Sequence, residues 1–177
     1  MKITTKTGDS GCTGLPAGGR VPKNDPRIEC LGAVDELDAF LAGALLAGPS
    51  PPGAETVSAV RDELFAVVMP AIAGISSRPP DIALLESKIA GLEAQIHRDN
   101  GFVRAWTRPV PVALNIARTV CRRAERDAVT LSRASAGVPE GVPDPSGGER
   151  PTGNGVAVYL NRLSDLLFLL AVSEETA

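Results

Sequence analysis

The sequence predicts an all-α fold, a five-helix up-and-down bundle that occupies a single domain over residues 1–177. Five separate segments carry apolar residues at helical spacings of three and four. Aromatic residues make up only 3% of the chain, so the core must consist mainly of aliphatic side chains, which favours close-packed helices over a β-sandwich. The 18 glycines and 15 prolines are many for a helical protein, and they concentrate between the predicted helices.

A glycine-rich segment precedes the first helix, and we treat residues 1–25 as one N-terminal segment. Residues 7–20 show no helical or strand period, and their glycines would allow the backbone to approach a ligand closely. A floppy terminus is the alternative interpretation.

The first two helices are predicted at residues 26–46 and 54–75. The first begins at Pro26 or Arg27 and ends before Gly48, and Pro70 is expected to kink the second. Their apolar stripes consist of Leu31, Val34, Leu37, Leu41 and Leu45 in the first helix and of Val57, Val60, Leu64, Val67 and Val68 in the second.

The other three helices are predicted at residues 81–98, 112–133 and 156–172, and Asp81 is a suitable N-cap for the first of them. The last helix is apolar nearly all round, so it is expected at the centre of the bundle. The Pro/Gly-rich tract at residues 136–155 is expected to be a flexible loop, because nothing in it offsets its ordering entropy.

Composition excludes several classes of protein. A formal net charge of −3 and a pI near 5.2 give no support to general nucleic-acid binding. No apolar run approaches the ~20 residues of a membrane span, and the polar start of the chain lacks the apolar stretch of a signal peptide. Cys12, Cys30 and Cys121 are too widely spaced to indicate a disulfide framework or a zinc cluster. We therefore expect a cytoplasmic protein with no nucleic-acid or membrane partner.

The predicted fourth helix carries a stripe of arginines. Arg118, Arg122 and Glu125 fall within ~60° of one another and border the apolar face of that helix. From Arg104 to Arg133 there are seven arginines and two carboxylates, a local net charge of +5 in an acidic protein. Arginine suits planar, bidentate contact with phosphate or carboxylate, so the stripe predicts an anion-binding surface. A solvated helix face with i,i+4 ion pairs is the alternative.

The last helix places two polar residues, Asn161 and Asp165, one turn apart in an otherwise apolar segment. Buried polar groups need partners, and we expect the arginines of the fourth helix to provide them. The alternative is a purely structural polar pair.

Other candidate groups give weaker signals. The run Val34-Asp35-Glu36-Leu37-Asp38 puts three carboxylates in one helical turn, which is typical of a solvated patch. His97 is the only histidine and lies in the last predicted turn of its helix, which favours a surface role and nearly excludes serine-hydrolase and histidine–metal chemistry. No Walker A or dinucleotide-binding glycine pattern follows a strand.

Motifs from both ends of the chain together resemble a known family. These motifs are Thr5-Lys6-Thr7-Gly8-Asp9, Gly19-Arg20-Val21-Pro22-Lys23-Asn24-Asp25-Pro26-Arg27, Val34-Asp35-Glu36-Leu37, the segment Arg118–Arg126 and the segment Tyr159–Phe168. In this order they resemble the signature of the PduO-type ATP:cob(I)alamin adenosyltransferases. The resemblance implies a homotrimer of ferritin-like, cobalamin adenosyltransferase-like five-helix bundles with active sites between subunits, in agreement with the bundle predicted above.

The resemblance also implies a reaction. Cobalt(I) of cobalamin attacks the 5′ carbon of ATP, and triphosphate leaves. Mg²⁺ would accompany ATP, cobalamin would be the second substrate, and no metal site built from protein ligands alone is implied. The protein would position the reactants and stabilise the departing polyanion without a general base. A reductase and an acceptor mutase are further candidate partners.

Individual roles follow from the same resemblance. The nucleotide and its magnesium would be held by Lys6, Thr7, Gly8, Asp9, Gly11, Thr13, Lys23, Arg122, Glu125 and Asn161. Arg118 would pair with Asp35 of a neighbouring subunit. Phe102 would displace the lower axial ligand of cobalamin, which leaves a four-coordinate cobalt(II) that is easier to reduce.

The chain departs from the family pattern mainly in the half that would contact the corrinoid. Ser10 replaces a common lysine, Asn115 replaces a frequent histidine, and Arg104-Ala105-Trp106-Thr107-Arg108 replaces a Pro-Gly-Gly turn. Phe65 is followed by Ala66-Val67-Val68 where the family has Asp-Leu-Gly, and the tract at 136–155 is longer than the family's link. The alternative function is therefore that of a catalytically divergent homologue, which uses the same trimeric bundle for a different ligand or substrate.

Overall fold

The computed structural model of the chain describes residues 3–96, 106–137 and 155–176. Its elements are strands β1 (Cys12–Gly14) and β2 (Arg20–Pro22) and helices α1 (Pro26–Leu46), α2 (Pro51–Glu63), α3 (Met69–Ile72), α4 (Ile82–Glu93), α5 (Pro109–Ser135) and α6 (Val156–Thr176). A π-helical turn, Leu64–Val68, joins α2 to α3 without a break, so the two form one rod of the bundle. The prediction of an all-α, five-helix architecture is confirmed.

N-cap residues explain where α1 and α4 begin, and of the two only Asp81 was predicted as a cap. The Asp25 carboxylate accepts a hydrogen bond of 2.9 Å from the backbone N–H of Arg27, and α1 spans the predicted residues. Asp81 caps α4 by accepting from the N–H of Leu84 at 2.9 Å. Helix α4 ends at Glu93, short of the predicted Arg98, and residues 97 and 98 lie outside the described part of the chain.

Prolines extend two helices beyond their predicted starts. Helix α2 begins at Pro51 and α5 at Pro109, in each case three residues before the predicted start. Proline is tolerated in the first turn of a helix, where its missing N–H would have no partner within the helix. Helix α6 likewise continues past the predicted Val172 to Thr176.

The disruption predicted around Pro70 takes the form of the π-helical turn just before it. Pro70 has no N–H to donate to the carbonyl four residues back, and the N–H of Met69 bonds the carbonyl of Leu64, five residues back. The turn buries Leu64 and Val67 but leaves Phe65 78% exposed.

Strands β1 and β2 pair antiparallel, with Thr13 opposite Val21. The expectation of no strand in residues 7–20 was wrong, because three-residue strands are too short to show an alternating pattern. Gly18 and Gly19, with φ of 98° and 83°, supply the left-handed backbone of the turn between them.

Helix α6 lies at the core, packed against α5 and α4, as its apolar sequence predicts. It is also the one helix in the described ranges that is long and apolar enough to cross a membrane, but 61% of the apolar stretch is buried inside the protein. Burial raises the pKa of the Tyr159 hydroxyl in its first turns well above the ordinary value. Helix α5 contacts α1 on its other side, so α5 lies between α6 and α1.

The buried Glu174, near the end of α6, caps helix α2. Its carboxylate accepts hydrogen bonds from the backbone N–H of Ser50 at 3.0 and 3.1 Å and from the Ser50 hydroxyl at 2.6 Å. Its carbonyl oxygen accepts from Arg108 Nη1 at 2.6 Å. One turn of α6 therefore fixes both the start of α2 and the segment that leads into α5.

The neighbouring Glu175 holds that same segment. Its carboxylate accepts from the backbone N–H of Thr107 at 3.1 and 3.2 Å and from the Thr107 hydroxyl. The side-chain hydrogen bond from Thr107 is the main cause that lowers the pKa of Glu175 below its ordinary value. Trp106 adds an edge-to-face contact with Phe168, at 6.2 Å between ring centres.

Candidate functional site

Arg20, to which no role was assigned from the sequence, connects the N-terminal segment to the hairpin by hydrogen bonds. Arg20 Nη2 donates to the carbonyl oxygens of Thr7 at 2.6 Å and Cys12 at 3.0 Å. These bonds hold the glycine-rich stretch against β1. Arg20 belongs to one of the motifs that carry the family resemblance, and this was the available hint of its importance. A sequence motif does not show which backbone carbonyls the guanidinium contacts.

Gly8, Gly11 and Lys23 meet at the base of this segment. A β-carbon at Gly8 would lie 3.2 Å from both Cε and Nζ of Lys23, so the lysine ammonium rests against the glycine backbone. The backbone N–H of Lys23 donates to the carbonyl of Gly11 at 2.9 Å. The three residues therefore form a small cradle, in which the Lys23 ammonium group lies beside glycine backbone that a ligand can approach closely. Such an arrangement suits the binding of a phosphate group.

Most of the remaining candidate side chains of the N-terminal segment are exposed to solvent. The side chains of Lys6, Thr7 and Asp9 are exposed, and Thr13 on β1 is half-buried. Lys6 has a φ of 62°, a left-handed conformation that is uncommon outside glycine. Hydroxyl and carboxylate oxygens are the ligands that Mg²⁺ prefers, so this exposed rim could share a magnesium ion with phosphate oxygens.

The predicted arginine stripe of α5 is present, and the side chain of Arg122 is exposed. Within the described ranges its guanidinium makes no hydrogen bond and no ion pair. The i,i+4 ion pairs of the solvated-face alternative are thus not found at Arg122. Arg118 is half-buried, and its Nε donates to Asn115 Oδ1 at 3.0 Å.

Glu125 of α5 and Asn161 of α6 are brought together. Asn161 Nδ2 donates to Glu125 Oε1 at 3.0 Å, and Asn161 Oδ1 accepts from Arg162 Nη1 at 2.7 Å. The expectation that α5 arginines would partner Asn161 and Asp165 was therefore wrong. A carboxylate of α5 and the adjacent arginine of α6 already satisfy the amide, and Asp165 is exposed, where water can solvate it.

Two of the three carboxylates in the middle of α1 link helices, so they are not a merely solvated patch. Glu36 pairs with Arg123 of α5, and Asp38 accepts from Arg61 of α2 at 2.7 and 3.0 Å. Asp35 is exposed and has no hydrogen-bonding partner among the described residues of its own chain. Its predicted partner Arg118 bonds to Asn115, and the two residues form no ion pair with each other within one chain.

The outer face of α1 and α5 leaves apolar side chains uncovered. The negative charge of Asp127 in α5 helps to raise the pKa of the Cys30 thiol in α1, so these two residues lie near each other. Glu36, further along α1, pairs with Arg123, which comes earlier in α5, so the two helices run antiparallel. The residues of α1 that follow Glu36 therefore lie beside the residues of α5 that precede Arg123. The large apolar side chains exposed there are Phe40 at 36%, Leu46 at 90%, Val112 at 40% and Ile116 at 39%.

The two buried cysteines are not reactive thiols. Burial raises the pKa of Cys30 to about 12 and raises that of Cys121 further. Among residues 3–96, 106–137 and 155–176, no group of three or more His, Cys, Asp or Glu side chains could hold a metal ion. Phe102, His97, Arg104 and residues 138–154 of the predicted loop lie outside these ranges.

Comparison with known proteins gives one consistent result. Residues 3–174 match the family described as cobalamin adenosyltransferase. The chain is 40% identical to the cobalamin adenosyltransferase of Cupriavidus metallidurans, over 96% of this chain and 86% of that relative. It is 35% identical to the corrinoid adenosyltransferase PduO of Citrobacter freundii, over 99% of this chain but only 50% of that longer relative. A variant PduO-type ATP:corrinoid adenosyltransferase from Lactobacillus reuteri, solved in complex with cobalamin and ATP, shares the fold with a TM-score of 0.74 and 27% identity, over 99% of this chain and 93% of that structure.

Proposed function

The chain belongs to the cobalamin adenosyltransferase family, and on this basis we propose how it transfers the 5′-deoxyadenosyl group of ATP to the cobalt of cob(I)alamin. Cobalt(I) forms a bond to C5′ of ATP while the C5′–O bond breaks, and the electron pair leaves with triphosphate. The products are adenosylcobalamin and triphosphate. The observation that carries the mechanism is the Glu125–Asn161 pair on two packed helices, beside an arginine stripe whose Arg122 has no partner in the described part of the chain.

The nucleotide site proposed here has two parts. Arg122, Glu125 and Asn161 hold the nucleotide from α5 and α6, and the Gly8–Lys23 cradle takes the phosphate end. Charge accumulates on the triphosphate as it departs, so a guanidinium and an ammonium in fixed positions lower the barrier. None of these groups has to accept a proton, because the cobalt is itself the nucleophile.

Magnesium fits the oxygen-rich rim of the same segment. We assign Thr7, Asp9 and Thr13 to the side of the site that would hold Mg²⁺ together with the triphosphate of ATP. The ion would offset negative charge on the phosphates, and Gly11 would let the backbone come close to them.

The wider assignments are part of the same proposal. Residues 1–25 act as the nucleotide-binding segment of a single domain spanning residues 1–177. The enzyme works in the reducing cytoplasm, with no nucleic-acid or membrane partner. A reductase supplies the electrons that make cobalt(I), and an acceptor mutase takes the product.

The activity is tested by mixing the purified protein with chemically reduced cobalamin and Mg-ATP under anaerobic conditions. We expect the absorbance of cob(I)alamin to give way to that of adenosylcobalamin, with stoichiometric release of triphosphate. Omitting ATP is the control. ATP binding without any adenosylation would favour the divergent homologue that uses the bundle for a different ligand.

A homotrimer with sites between subunits accounts for two features of the surface. Asp35 has no hydrogen-bonding partner among residues 3–96, 106–137 and 155–176, and Phe40, Leu46, Val112 and Ile116 are exposed apolar side chains on the same two helices. A neighbouring copy packed on this face would cover the apolar side chains and bring its Arg118 to Asp35. Exposed apolar groups of this kind mark association surfaces.

Replacing Asp35 with alanine tests the contact between subunits. If Asp35 and Arg118 pair across the interface, loss of one partner leaves the other unpaired, at ~3–5 kcal/mol when fully desolvated. We expect a weaker trimer or lower activity for Asp35→Ala, and a smaller effect for Asp35→Asn. Light scattering coupled to gel filtration measures the assembly, with Glu55→Ala on the exposed surface of α2 as the matched control. A monomeric wild-type protein would rule out both the pair and the shared site.

The proposed role of Phe102 predicts an asymmetry between oxidation states. Exclusion of the lower ligand helps the reduction of cobalt(II), whereas the later attack on ATP requires only alignment. We expect Phe102→Ala to slow adenosylation from cobalt(II) far more than from pre-reduced cobalt(I), with little change in ATP affinity. Absorbance assays started from each oxidation state measure this difference. Equal slowing in both assays would make Phe102 a packing residue.

A further inference from the structure

A chain of polar contacts crosses three helices and passes through the proposed nucleotide site. Glu86 of α4 accepts from Arg162 Nε at 3.1 Å, and Arg162 Nη1 donates to Asn161 Oδ1 at 2.7 Å. Asn161 Nδ2 then donates to Glu125 Oε1 of α5 at 3.0 Å. Arg162 and Glu86 have no role in the function proposed so far.

The chemistry of the two flanking groups allows only one orientation of the Asn161 amide. A guanidinium can only donate hydrogen bonds and an ionised carboxylate can only accept them. The amide oxygen must therefore face Arg162, and the amide nitrogen must face Glu125. An asparagine without such neighbours can exchange the two ends of its amide by a simple rotation.

The fixed orientation determines what the pair offers to a ligand. One N–H of the Asn161 amide is used by Glu125 Oε1, which leaves its second N–H as a donor. Glu125 Oε2 accepts no hydrogen bond among the described residues and remains as an acceptor. A donor and an acceptor are thus presented next to each other, and a rotated amide would lose this pattern.

We propose that Arg162 is a positioning residue for ATP binding, which is held by Glu86 and fixes the Asn161 amide in its donating orientation toward the nucleotide. This rests on the proposed nucleotide role of Glu125 and Asn161. An ordinary surface ion pair between α4 and α6 would need only Glu86 and Arg162, whose side chains are 53% and 39% exposed. Such half-exposed pairs stabilise a fold little. The bond from Arg162 to the amide is also the shorter of the two.

A double-mutant cycle on the full chain tests the proposal by calorimetric titration with Mg-ATP. We expect Arg162→Ala to raise the Kd for ATP about tenfold, the scale of one hydrogen bond, and to leave the Kd for cobalamin unchanged. Arg162→Lys keeps the charge but reaches only one of its two partners, so its effect should be about threefold. In an Asn161→Ala background, Arg162→Ala should change the Kd for ATP less than twofold, because its action passes through the amide.

Arg61 provides the matched control, since it forms an ion pair with Asp38 at 34% exposure and contacts neither Asn161 nor Glu125. Arg61→Ala should leave the Kd for ATP unchanged. If Asn161→Ala itself leaves ATP binding intact, the nucleotide role assigned to Asn161 is wrong, and the positioning role of Arg162 is overturned with it. If Asn161→Ala weakens ATP binding but Arg162→Ala and Arg162→Lys do not, only the positioning role is overturned. The same holds if Arg162→Ala is equally harmful in the Asn161→Ala background.

Discussion

Replacement of Gly53 by alanine is expected to destabilise the fold by about 2–4 kcal/mol. Gly53 lies in the first turn of α2, and a β-carbon there would be 2.4 Å from Oε1 of Glu174. That carboxylate accepts hydrogen bonds from the backbone N–H and the hydroxyl of Ser50, so it cannot move away without losing them. Urea denaturation followed by circular dichroism, at one fixed protein concentration, measures the free energy of unfolding.

Gly91 of α4 is the matched control for this substitution. It is exposed within a helix, and a β-carbon added there would meet nothing within 4 Å. Gly91→Ala should therefore stabilise the protein, by up to ~1 kcal/mol, since alanine favours the helix and restricts the unfolded chain. A second control is Gly53→Ala in a Glu174→Ala protein, where the further cost should be small. If Gly53→Ala destabilises both backgrounds equally, the cap by Glu174 is not the cause.

Arg122→Ala is expected to weaken ATP binding by about 10- to 150-fold, which corresponds to the ~1.5–3 kcal/mol of a charge-assisted hydrogen bond. The side chain is exposed and makes no bond to the described part of its own chain, so its removal should not unfold the protein. Calorimetric titration with Mg-ATP measures the affinity, and circular dichroism verifies the fold.

Arg133, in the last turn of α5, is the control for loss of an arginine from the same helix. It is exposed and has no role in the proposed site. Arg133→Ala should bind ATP as tightly as the wild type. Equal affinities for wild type and Arg122→Ala, in two equally folded proteins, would remove Arg122 from the site.

The helices could be predicted because their determinants are local. Asp25 and Asp81 cap the helices that follow them, and the apolar spacing of α6 indicates a core helix before any contact is known. The hairpin could not be predicted, because its strands have three residues each. An alternation of apolar and polar residues can be recognised only in a longer strand. The end of α6 was also missed, since Glu174 is stabilised there by Ser50, a residue 124 positions away in the sequence.

The candidate site was predictable in its members but not in its contacts. The stripe of Arg118, Arg122 and Glu125 follows from helical geometry alone. The partners of Asn161 do not, because they depend on which side of α6 faces α5 and on the reach of the neighbouring Arg162. The sequence did place Arg162 directly beside Asn161, the one asparagine of the apolar helix α6, and this neighbour was the available hint of a partner for the amide.

The contact between Ser50 and Glu174 has a consequence for biosynthesis. Helix α2 leaves the ribosome long before the carboxylate that caps it, since 124 residues separate the two. At ~5–20 residues per second, the nascent helix waits on the order of 6–25 s for that partner. Until then only the Ser50 hydroxyl, which accepts from the N–H of Gly53, protects its first turn. The capped start of α2 is therefore completed only when α6 arrives, and the long loop between Ser50 and Glu174 closes in the same step.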